Sequence, residues 1–547
     1  MEDLPVDVLH WALALSPIVV LLVLLAVLRW SAPQAAAVGM FYAAAVALIF
    51  FQTPFDTVVV AVAKGIWDAV PILYVVFPAL LLYHVGKASG AFDALRRGIS
   101  RYSKNDVFIV LAFGWVFASF MQGIAGFGAP IAVVAPLLVA IGVRPIYAVL
   151  IPLIGHAWAN MFGTLAVGWL ATLQVVDVEN ETATAVETAI LLWIPNILGA
   201  FYIAWLVGKW QAVRLATPMV LIISLIHGGG QLALMPVSPV LSTFVAASVA
   251  MVALFPLARW SRYSEPAELD ERPAMKEDAD LTAEEEGEPT MSLLQAAAPY
   301  GALTAVAIGL LVIGPVEDFL SRLAVGLPFP EVTTGYGVEN EAEQAYQEFE
   351  PLVHPGTFLL FAVAVAWLLY RRIGAFSRKA EVASGEAGAG EEAEEEPGVW
   401  RGTAEDAVPA AFAVVGFLVL SSLLDHSGQT DVLAQGISDV APAPVYAFLS
   451  VFIGVIGAFM TSSNTASNVL FADLQDTVAG AEGLRQSSIL AAQSTGGAIG
   501  NAIAPANIVL GTSTTGAQGK EGEVLRKALP WAAVATALTG IVTVFLA

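Results

Sequence analysis

Apolar runs of about 14 to 21 residues recur along the whole chain and constrain its fold more than any other feature. Most of them are long enough, as helices, to cross a hydrocarbon core about 30 Å thick. They lack the alternation of polar and apolar residues that is typical of membrane β-barrels. Clear examples lie at 11–28, 69–85, 190–207, 241–257, 293–313, 357–370 and 531–547.

These runs predict an all-α polytopic membrane protein, with about 12–16 transmembrane segments, in the plasma membrane. The first run has no basic segment ahead of it and no small-residue cleavage site after it. We therefore expect it to be a transmembrane helix and not a removed signal peptide. The lipid bilayer is the first partner that the sequence implies, and the oligomeric state is left open.

Several function classes are disfavoured by what the 547 residues lack. The chain contains no cysteine, and its six histidines are scattered without a metal-binding pair. Disulfides, thiol catalysis and a zinc site are therefore excluded or improbable. We find no phosphate-binding loop for ATP and no nucleophile–base combination. The sequence predicts that the protein is not an enzyme and needs no cofactor.

The net charge of −23 is concentrated in three acidic segments, 265–289, 339–350 and 381–397. Such composition is typical of solvated or disordered loops. Acidic residues outnumber basic ones about two to one, and Arg outnumbers Lys by a similar ratio. We take this balance to indicate a salt-adapted host such as a haloarchaeon. Nucleic acid is not expected as a partner, because the chain is strongly acidic.

The distribution of Lys and Arg predicts the orientation of the chain in the membrane. Basic clusters at 87–104, 209–214, 259–262, 371–379 and 520–527 are placed inside, and segments 173–188, 316–355 and 425–444 are placed outside. The resulting organisation has six parts: N-terminal transmembrane helices (1–106), a first repeat (107–260), an acidic cytoplasmic linker (261–292), helices with an acidic external loop (293–375), a second acidic cytoplasmic linker (376–402) and a second repeat (403–547).

Two polar stretches at membrane depth resemble each other. "FASFMQGIAGFGAPIAVV" (117–134) aligns with "IGAFMTSSNTASNVLF" (456–471) with both Phe-Met pairs in register. Each is followed by a second polar segment, "GHAWANMFG" (155–163) or "QSTGGAIGN" (493–501). Because the two stretches run in opposite directions in the predicted topology, we expect an inverted repeat with broken or re-entrant helices.

Breaks in membrane helices have a chemical use. Gly, Pro, Ser and Asn interrupt or compete with helical hydrogen bonding, and irregular backbone at this depth must be buried or line a wet cavity. The freed N-terminal amides can hold a carboxylate without a fixed cation, while Ser, Thr and Asn oxygens can ligate Na⁺. The alternative is that the small residues only allow close helix packing.

Three segments together resemble the L-lactate permease family. They are "GIAGFGAPIAVVAPLLVAIGVRPIYAVLI" (123–151), "SNTASNVLFADLQ" (463–475) and "AAQSTGGAIGNAIAPANIVLG" (491–511). The resemblance covers most of the chain and is strongest in 110–165 and 455–512. It implies a secondary transporter that takes up L-lactate, and often related 2-hydroxy acids such as glycolate, together with a cation.

A more distant resemblance, at superfamily level, is to sodium–dicarboxylate transporters. In those proteins Ser-Asn-Thr motifs at the tips of re-entrant hairpins bind sodium and carboxylate, and Ser463, Asn464 and Thr465 match that motif. An elevator-type movement of the hairpins would follow from this analogy.

The polar segments and the resemblance together define the candidate site. The candidate substrate-binding residues are Gln122, Gly126, Gly128, His156, Asn160, Ser463, Asn464, Thr465, Asn468, Ser494, Thr495, Gly496, Gly497 and Asn501. A Na⁺ ion would be held by Ser463, Asn464, Thr465, Ser494 and Thr495. For His156, a titrating role in the pathway and a structural hydrogen bond are both left open.

Three positions depart from the family pattern. Gln122, Asn464 and Asn501 are neutral amides where the family commonly has charged residues. This difference makes Na⁺ coupling more credible, although H⁺ coupling stays open.

The sequence therefore predicts cation-coupled uptake of L-lactate or a related small 2-hydroxy monocarboxylate. The alternative is Na⁺-coupled transport of another organic acid, such as glycolate, pyruvate or a dicarboxylate. An anion channel is less favoured, because basic residues are scarce in the apolar runs.

Overall fold

The computed structural model describes residues 4–28, 30–100, 103–126, 128–276, 291–311, 314–377 and 398–547. Helices make up most of these residues, as predicted. The helices of the first half are α1 (Val8–Leu22), α2 (Ala32–Phe50), α3 (Phe55–Ser89), α4 (Ala91–Ser100), α5 (Asp106–Leu111), α6 (Ala118–Ile124), α7 (Ala129–Ala140), α8 (Pro145–Gly155), α9 (Gly163–Leu173), α10 (Glu181–Ser224), α11 (Gly230–Leu234), α12 (Pro239–Ala258) and α13 (Ser261–Ser264).

The remaining helices are α14 (Leu293–Leu311), α15 (Gly314–Leu320), α16 (Pro355–Arg372), α17 (Val399–His426), α18 (Gln429–Ser438), α19 (Ala443–Thr461), α20 (Asn464–Glu482), α21 (Gln486–Ala502), α22 (Pro505–Thr515) and α23 (Glu521–Leu546). Three π-helical turns, Val23–Val27, Ala112–Phe117 and Leu225–Gly229, continue neighbouring helices, and a 3-10 turn covers Ala157–Ala159. Four short strands follow α15: β1 (Val325–Phe329), β2 (Val332–Thr333), β3 (Glu339–Asn340) and β4 (Glu343–Phe349).

The described part of the chain contains nine helices that are long and apolar enough to cross a membrane, or up to ten if the bent pair Pro145–Ala159 and Gly163–Leu173 forms one span. The nine are Val8–Leu25, Ala32–Phe50, Phe55–Ser89, Asp106–Ile124, Glu181–Leu234, Pro239–Ala258, Val399–His426, Ala443–Thr461 and Glu521–Leu546. This confirms the all-α polytopic class. The number is below 12–16, and it counts the 54-residue segment Glu181–Leu234 once although its backbone is kinked at Gly208 and Lys209.

The order of these elements repeats in the two halves of the chain. In the first half, the helix Asp106–Ile124 is followed by a break, α7, a turn, α8, a second break and α9. In the second half, α19 is followed by a break, α20, a turn, α21, a second break and α22. Each half thus holds one hairpin of helices between two breaks. The two-fold relation between the halves stays a prediction.

Glycines allow α19 and α21 to pack at very short distance. A Cβ at Gly454 would collide with the Gln493 carbonyl oxygen, and one at Gly496 with the Val451 carbonyl oxygen. At Gly500, a Cβ would strike the Val455 carbonyl oxygen in the same way. The backbones themselves are therefore in contact, as is common where small residues line a membrane helix interface.

A chain of buried hydrogen bonds holds the second hairpin against α19. The Tyr446 hydroxyl donates to Gln475 Oε1 (2.6 Å), and Gln475 Nε2 donates to Gln493 Oε1 (3.0 Å) and to the Ser450 carbonyl (2.9 Å). Gln493 Nε2 in turn donates to the Ser467 carbonyl (3.1 Å). Gln475 has partners on α19 and α21, and Gln493 has two partners on α20, so this network specifies how the three helices are aligned.

The acidic segment 339–350 is folded, which corrects our expectation of a solvated or disordered loop there. Strand β1 pairs with β4 and β2 pairs with β3, both antiparallel. Lys64 of α3 donates to Glu343 Oε1 (2.7 Å) and lies 4.6 Å from the Tyr346 ring centroid. The Trp67 indole donates to the Tyr346 carbonyl (3.1 Å). An inward-facing lysine and aromatic packing thus attach the acidic strands to a membrane helix.

The other two acidic segments lie largely outside the described residues, which omit 277–290 and 378–397. The beginning of the first one is described and packs on the membrane helices. Arg272 forms an ion pair with Asp106 at the start of α5 (2.8 Å), and the Arg144 amide donates to the Ala274 carbonyl (2.8 Å). The six-part division of the chain stays a prediction.

The contact between α19 and α21 generates a stability prediction. We expect Gly496→Val to lower the melting temperature in detergent by several degrees or more, because overpacking against a backbone carbonyl costs about 1–3 kcal/mol or more. Gly480→Ala in α20 is the matched control, since a Cβ there meets nothing within 4 Å. Equal melting temperatures for the two variants would contradict the close approach of α19 and α21.

Candidate functional site

A cavity of about 380 Å³ lies where the breaks of the two halves meet. From the first half it is lined by Gln122, Gly126, Gly128, Ile131, His156, Asn160, Thr164 and Val167. From the second half it is lined by Thr461, Ser462, Ser463, Asn464, Thr465, Ala466, Asn501, Ala506 and Asn507. A third wall comes from α2 and α17: Ala32, Pro33, Asp406, Pro409, Ala410, Ala413, Val414 and Phe417.

The first break, between α6 and α7, follows from its glycines and proline. Gly128 has φ +86°, a conformation that side chains with a Cβ rarely adopt, and Pro130 lies in the first turn of α7 where its missing N–H costs nothing. The Gly126 amide is not left unpaired, because it donates to Thr164 Oγ1 (2.7 Å) on α9. The first break is thus fastened to the residues that follow the second.

The second break, between α8 and α9, begins at His156. Its Nδ1–H donates to the Pro152 carbonyl (2.5 Å), and the ring lines the cavity, so in a neutral imidazole Nε2 would be the acceptor. Thr164, Leu165 and Ala166 then adopt left-handed φ values of 51°, 49° and 63°. Each such residue costs roughly 1–2 kcal/mol, so the surrounding packing must stabilise this turn.

The breaks of the second half arise from the same kinds of residue. Ser462 has φ +57°, and Ser463 caps α20 by accepting a hydrogen bond from the Ala466 amide (3.2 Å). The hydroxyl and extended backbone of Ser463 are those of a preferred N-cap residue. After α21, Pro505 starts α22 at a position where a proline is tolerated.

Asparagine side chains connect the two halves across the cavity wall. Asn160 Nδ2 donates to Asn501 Oδ1 (3.1 Å), and Asn501 Nδ2 donates to the Ser462 carbonyl (3.0 Å). Asn507 Nδ2 donates to the Asn501 carbonyl (3.0 Å) and more weakly to that of Ser462 (3.4 Å). Backbone carbonyls at the breaks therefore accept hydrogen bonds from side-chain amides.

The positive electrostatic character of the cavity comes from helix ends, and its one described carboxylate is Asp406. The N-termini of α7, α20 and α22 all contribute lining residues, and the first N–H groups of a helix generally have no intrahelical partner. In α7 these groups are already paired, because Ala129 and Ile131 donate to the Gly126 and Gly128 carbonyls, so α7 contributes its dipole while α20 and α22 contribute the N–H groups. Among the described lining residues there is no Lys or Arg. An anion here would be held by backbone amides, helix dipoles and side-chain amides.

Nine of the fourteen predicted substrate-binding residues line this cavity. They are Gln122, Gly126, Gly128, His156, Asn160, Ser463, Asn464, Thr465 and Asn501. The other five, Asn468, Ser494, Thr495, Gly496 and Gly497, lie outside its wall. Gly496 belongs to the close contact with α19, and a Cβ at Gly497 would collide with Asn464 Oδ1. Close packing, the alternative reading of small residues, therefore accounts for these two glycines.

A buried group of polar atoms lies next to the cavity. Asn468 Nδ2 and Asn464 Nδ2 both point at Met161 Sδ, at 3.2 and 3.9 Å. Asn464 Oδ1, Asn468 Oδ1 and Thr495 Oγ1 are buried without a hydrogen-bond partner in the described part of the chain. Unpaired buried oxygens are costly unless a ligand or ion uses them.

Sequence reasoning missed several lining residues. Thr164, Ser462 and Asn507 are polar residues that directly follow or form a break, so the break itself was their signal. Asp406 and the apolar residues of α17 gave no local signal, because only tertiary packing brings α17 to the hairpins.

Polar broken helices around a small cavity inside a helical membrane fold are the arrangement of one class of protein, the multi-pass membrane transporters. Sequence comparison identifies the group within that class: the L-lactate permease family matches over residues 11–547, and this chain belongs to it. The protein is therefore a plasma-membrane transporter and not an enzyme.

Named relatives agree with the family match. The chain is 26% identical to an L-lactate permease of Salmonella typhi, over 92% of this chain and 89% of the relative. It is also 26% identical to the glycolate permease GlcA of Escherichia coli, over 97% and 94%, and to an L-lactate permease of Halalkalibacterium halodurans, over 95% and 93%.

A solved structure, that of the YdaH transporter of Alcanivorax borkumensis, matches with a TM-score of 0.44 and 14% identity, over 88% of this chain and 86% of that one.

The asparagine connection generates a prediction about how the halves are joined. We expect Asn160→Ala and Asn501→Ala each to lower the free energy of unfolding by about 1–3 kcal/mol, since each leaves buried partners unpaired. In the double variant the loss should fall short of the sum by about 1 kcal/mol. Thermal unfolding of the four proteins in one detergent measures this coupling, and strict additivity would argue against the Asn160–Asn501 bond.

Proposed function

We propose that this protein is a cation-coupled symporter that takes up L-lactate, glycolate or a related small 2-hydroxy monocarboxylate. One observation carries the proposal: three helix N-termini and a set of side-chain amides meet at one small cavity, with no cationic side chain among its described lining residues. Such a site stabilises a single carboxylate by partial charges. The names of the relatives, L-lactate permeases and a glycolate permease, agree with this chemistry.

The size and polarity of the cavity support a small substrate. Its volume of about 380 Å³ is at the low end of the range for ligand sites, about 300–1,000 Å³. The N-termini of α20 and α22 offer amides for the carboxylate, and Gln122 and Asn160 offer donors and acceptors for a 2-hydroxyl. The apolar residues of α17 would contact the methyl end of lactate.

The coupling ion is part of the proposal. A Na⁺ site at Ser463, Asn464, Thr465, Ser494 and Thr495 is supported by the unpaired oxygens of Asn464 and Thr495, since neutral oxygens are the ligands that hard cations prefer. Asn468 Oδ1 is a further neutral oxygen of the same kind. Proton coupling is supported by the two titratable side chains that line the cavity, His156 and Asp406.

Transport of a different organic acid is the second candidate. A dicarboxylate would need a second anion-binding pole, and the N-terminus of α7, with Gly128 and Ile131 on the cavity wall, would supply it only through the helix dipole, since its first N–H groups are paired with backbone carbonyls. A channel is less favoured, because a selective anion pore requires rings of basic side chains.

Uptake into proteoliposomes tests the proposal. We expect labelled L-lactate to accumulate under an inward Na⁺ gradient or an inward proton gradient. Asn464→Ala should reduce the initial rate by about tenfold or more, because an amide at the N-terminus of α20 and an ion ligand would be lost together. Glycolate and succinate in excess, as competitors, separate the monocarboxylate proposal from a dicarboxylate.

Gln518→Ala is the matched control, since it removes an exposed amide far from the cavity. Accumulation driven by Na⁺ and lost in Asn464→Ala would support an ion site in the Ser-Asn-Thr segment. No accumulation of L-lactate or glycolate under either gradient, in vesicles that hold folded protein, would refute the proposed function.

A further inference from the structure

Asp406 is the one carboxylate among the described residues that line the cavity. It lies in the second turn of α17, and its Oδ2 accepts a hydrogen bond from His84 Nε2 of α3 (2.9 Å). The Asp406 side chain is 53% exposed, whereas that of His84 is only 11% exposed. The carboxylate thus faces the cavity while the imidazole supports it from behind.

The residues packed around His84 fix the position of its ring. A Cβ at Gly402 would lie 2.7 Å from both Cε1 and Nδ1 of the ring, so only glycine lets the imidazole pack flat against α17. The Tyr83 ring meets it edge-on, with 5.0 Å between centroids. Two helices that pack along much of their length therefore hold one histidine against one carboxylate at the cavity.

We propose that His84 and Asp406 form the proton-carrying pair that couples proton binding to binding of the anionic substrate. This inference rests on the proposed function, because it concerns the same cavity. With a neutral imidazole the pair carries one negative charge, which repels a carboxylate in the cavity. With one proton added the pair is neutral, and the repulsion is gone.

The proton step is a simple acid–base reaction. In the neutral pair the Nε2–H donates to Asp406, because a carboxylate can only accept. A proton from water then binds the lone pair of Nδ1, giving an imidazolium that keeps its hydrogen bond to the carboxylate. The reverse step returns the proton to water. Because coupling is reciprocal, substrate favours the protonated pair as much as the proton favours substrate.

Other charged groups lie on the helices around this pair. On the same side of the fold they are Lys87 and Asp93, Arg371 and Arg372 at the end of α16, and Arg401 with Glu405, which pair with each other (2.8 Å). Farther along α3, α17 and α20 they are Asp56, Lys64, Asp68, Asp425, Asp473, Asp476 and Glu482. Helices α2 and α9 carry no charged residue. His156 is the other titratable group on the cavity wall.

Equilibrium binding of labelled L-lactate to the purified full-length protein tests the pair, in Na⁺-free buffers from about pH 5.5 to about pH 8.5. For wild type we expect the Kd to rise by up to about tenfold per pH unit once the pair loses its proton. His84→Gln keeps a donor to Asp406 but cannot take up a proton, so binding should be weak throughout. Asp406→Asn removes the charge, so affinity at high pH should rise toward the wild-type value at low pH.

The opposite directions of these two effects separate a coupling role from a structural one. Glu405→Gln, one residue away on α17 and outside the cavity wall, is the control and should keep the wild-type pH profile. If all three variants kept the wild-type dependence of Kd on pH, the proposed role of the pair would be wrong. It would also be wrong if His84→Gln and Asp406→Asn weakened binding equally at every pH. Either result would leave the proposed function intact. Folded wild-type protein that binds neither L-lactate nor glycolate at any pH would overturn both.

Discussion

The structure depends on one constraint: inside a membrane, every backbone polar group must find a partner within the protein or in a wet cavity. Continuous helices satisfy it by themselves. The four breaks at the cavity do not, and each is stabilised by specific side chains. Thr164 accepts from the Gly126 amide, Ser463 caps α20, and Asn501 pairs the Ser462 carbonyl.

The same side chains that satisfy the breaks also create the binding surface. Because the breaks of both halves are joined through Asn160 and Asn501, the free ends of α7, α20 and α22 are held around one small volume. The buried polar side chains thus fall into two groups. Gln475 and Gln493 use their hydrogen-bonding groups to align helices, whereas Asn464 retains an unpaired oxygen beside the cavity.

The charged side chains near the two ends of α3 have different surroundings. At the end next to the strands, Lys64 is neutralised by Glu343 and covered by Tyr346, which attaches the folded acidic loop to the membrane helices. At the other end, His84 supports a carboxylate that faces the cavity. Both carboxylates are partly exposed, Glu343 by 40% and Asp406 by 53%. The two pairs differ in their place, because the Lys64 ammonium is covered by the Tyr346 ring, whereas Asp406 lies on the cavity wall.

The sequence by itself determined the membrane class, the helical fold, the positions of the breaks and most of the polar lining, from Gln122 to Asn501. These follow from local chemistry, since run length, Gly, Pro and hydroxyl or amide residues act where they stand. The sequence did not reveal that 339–350 would fold against α3, that Gly496 and Gly497 serve packing, or that Asp406 faces the hairpins. Those outcomes depend on which helix surfaces meet. Residues such as His84 and Asp406, more than 300 positions apart, become a pair only through tertiary contact.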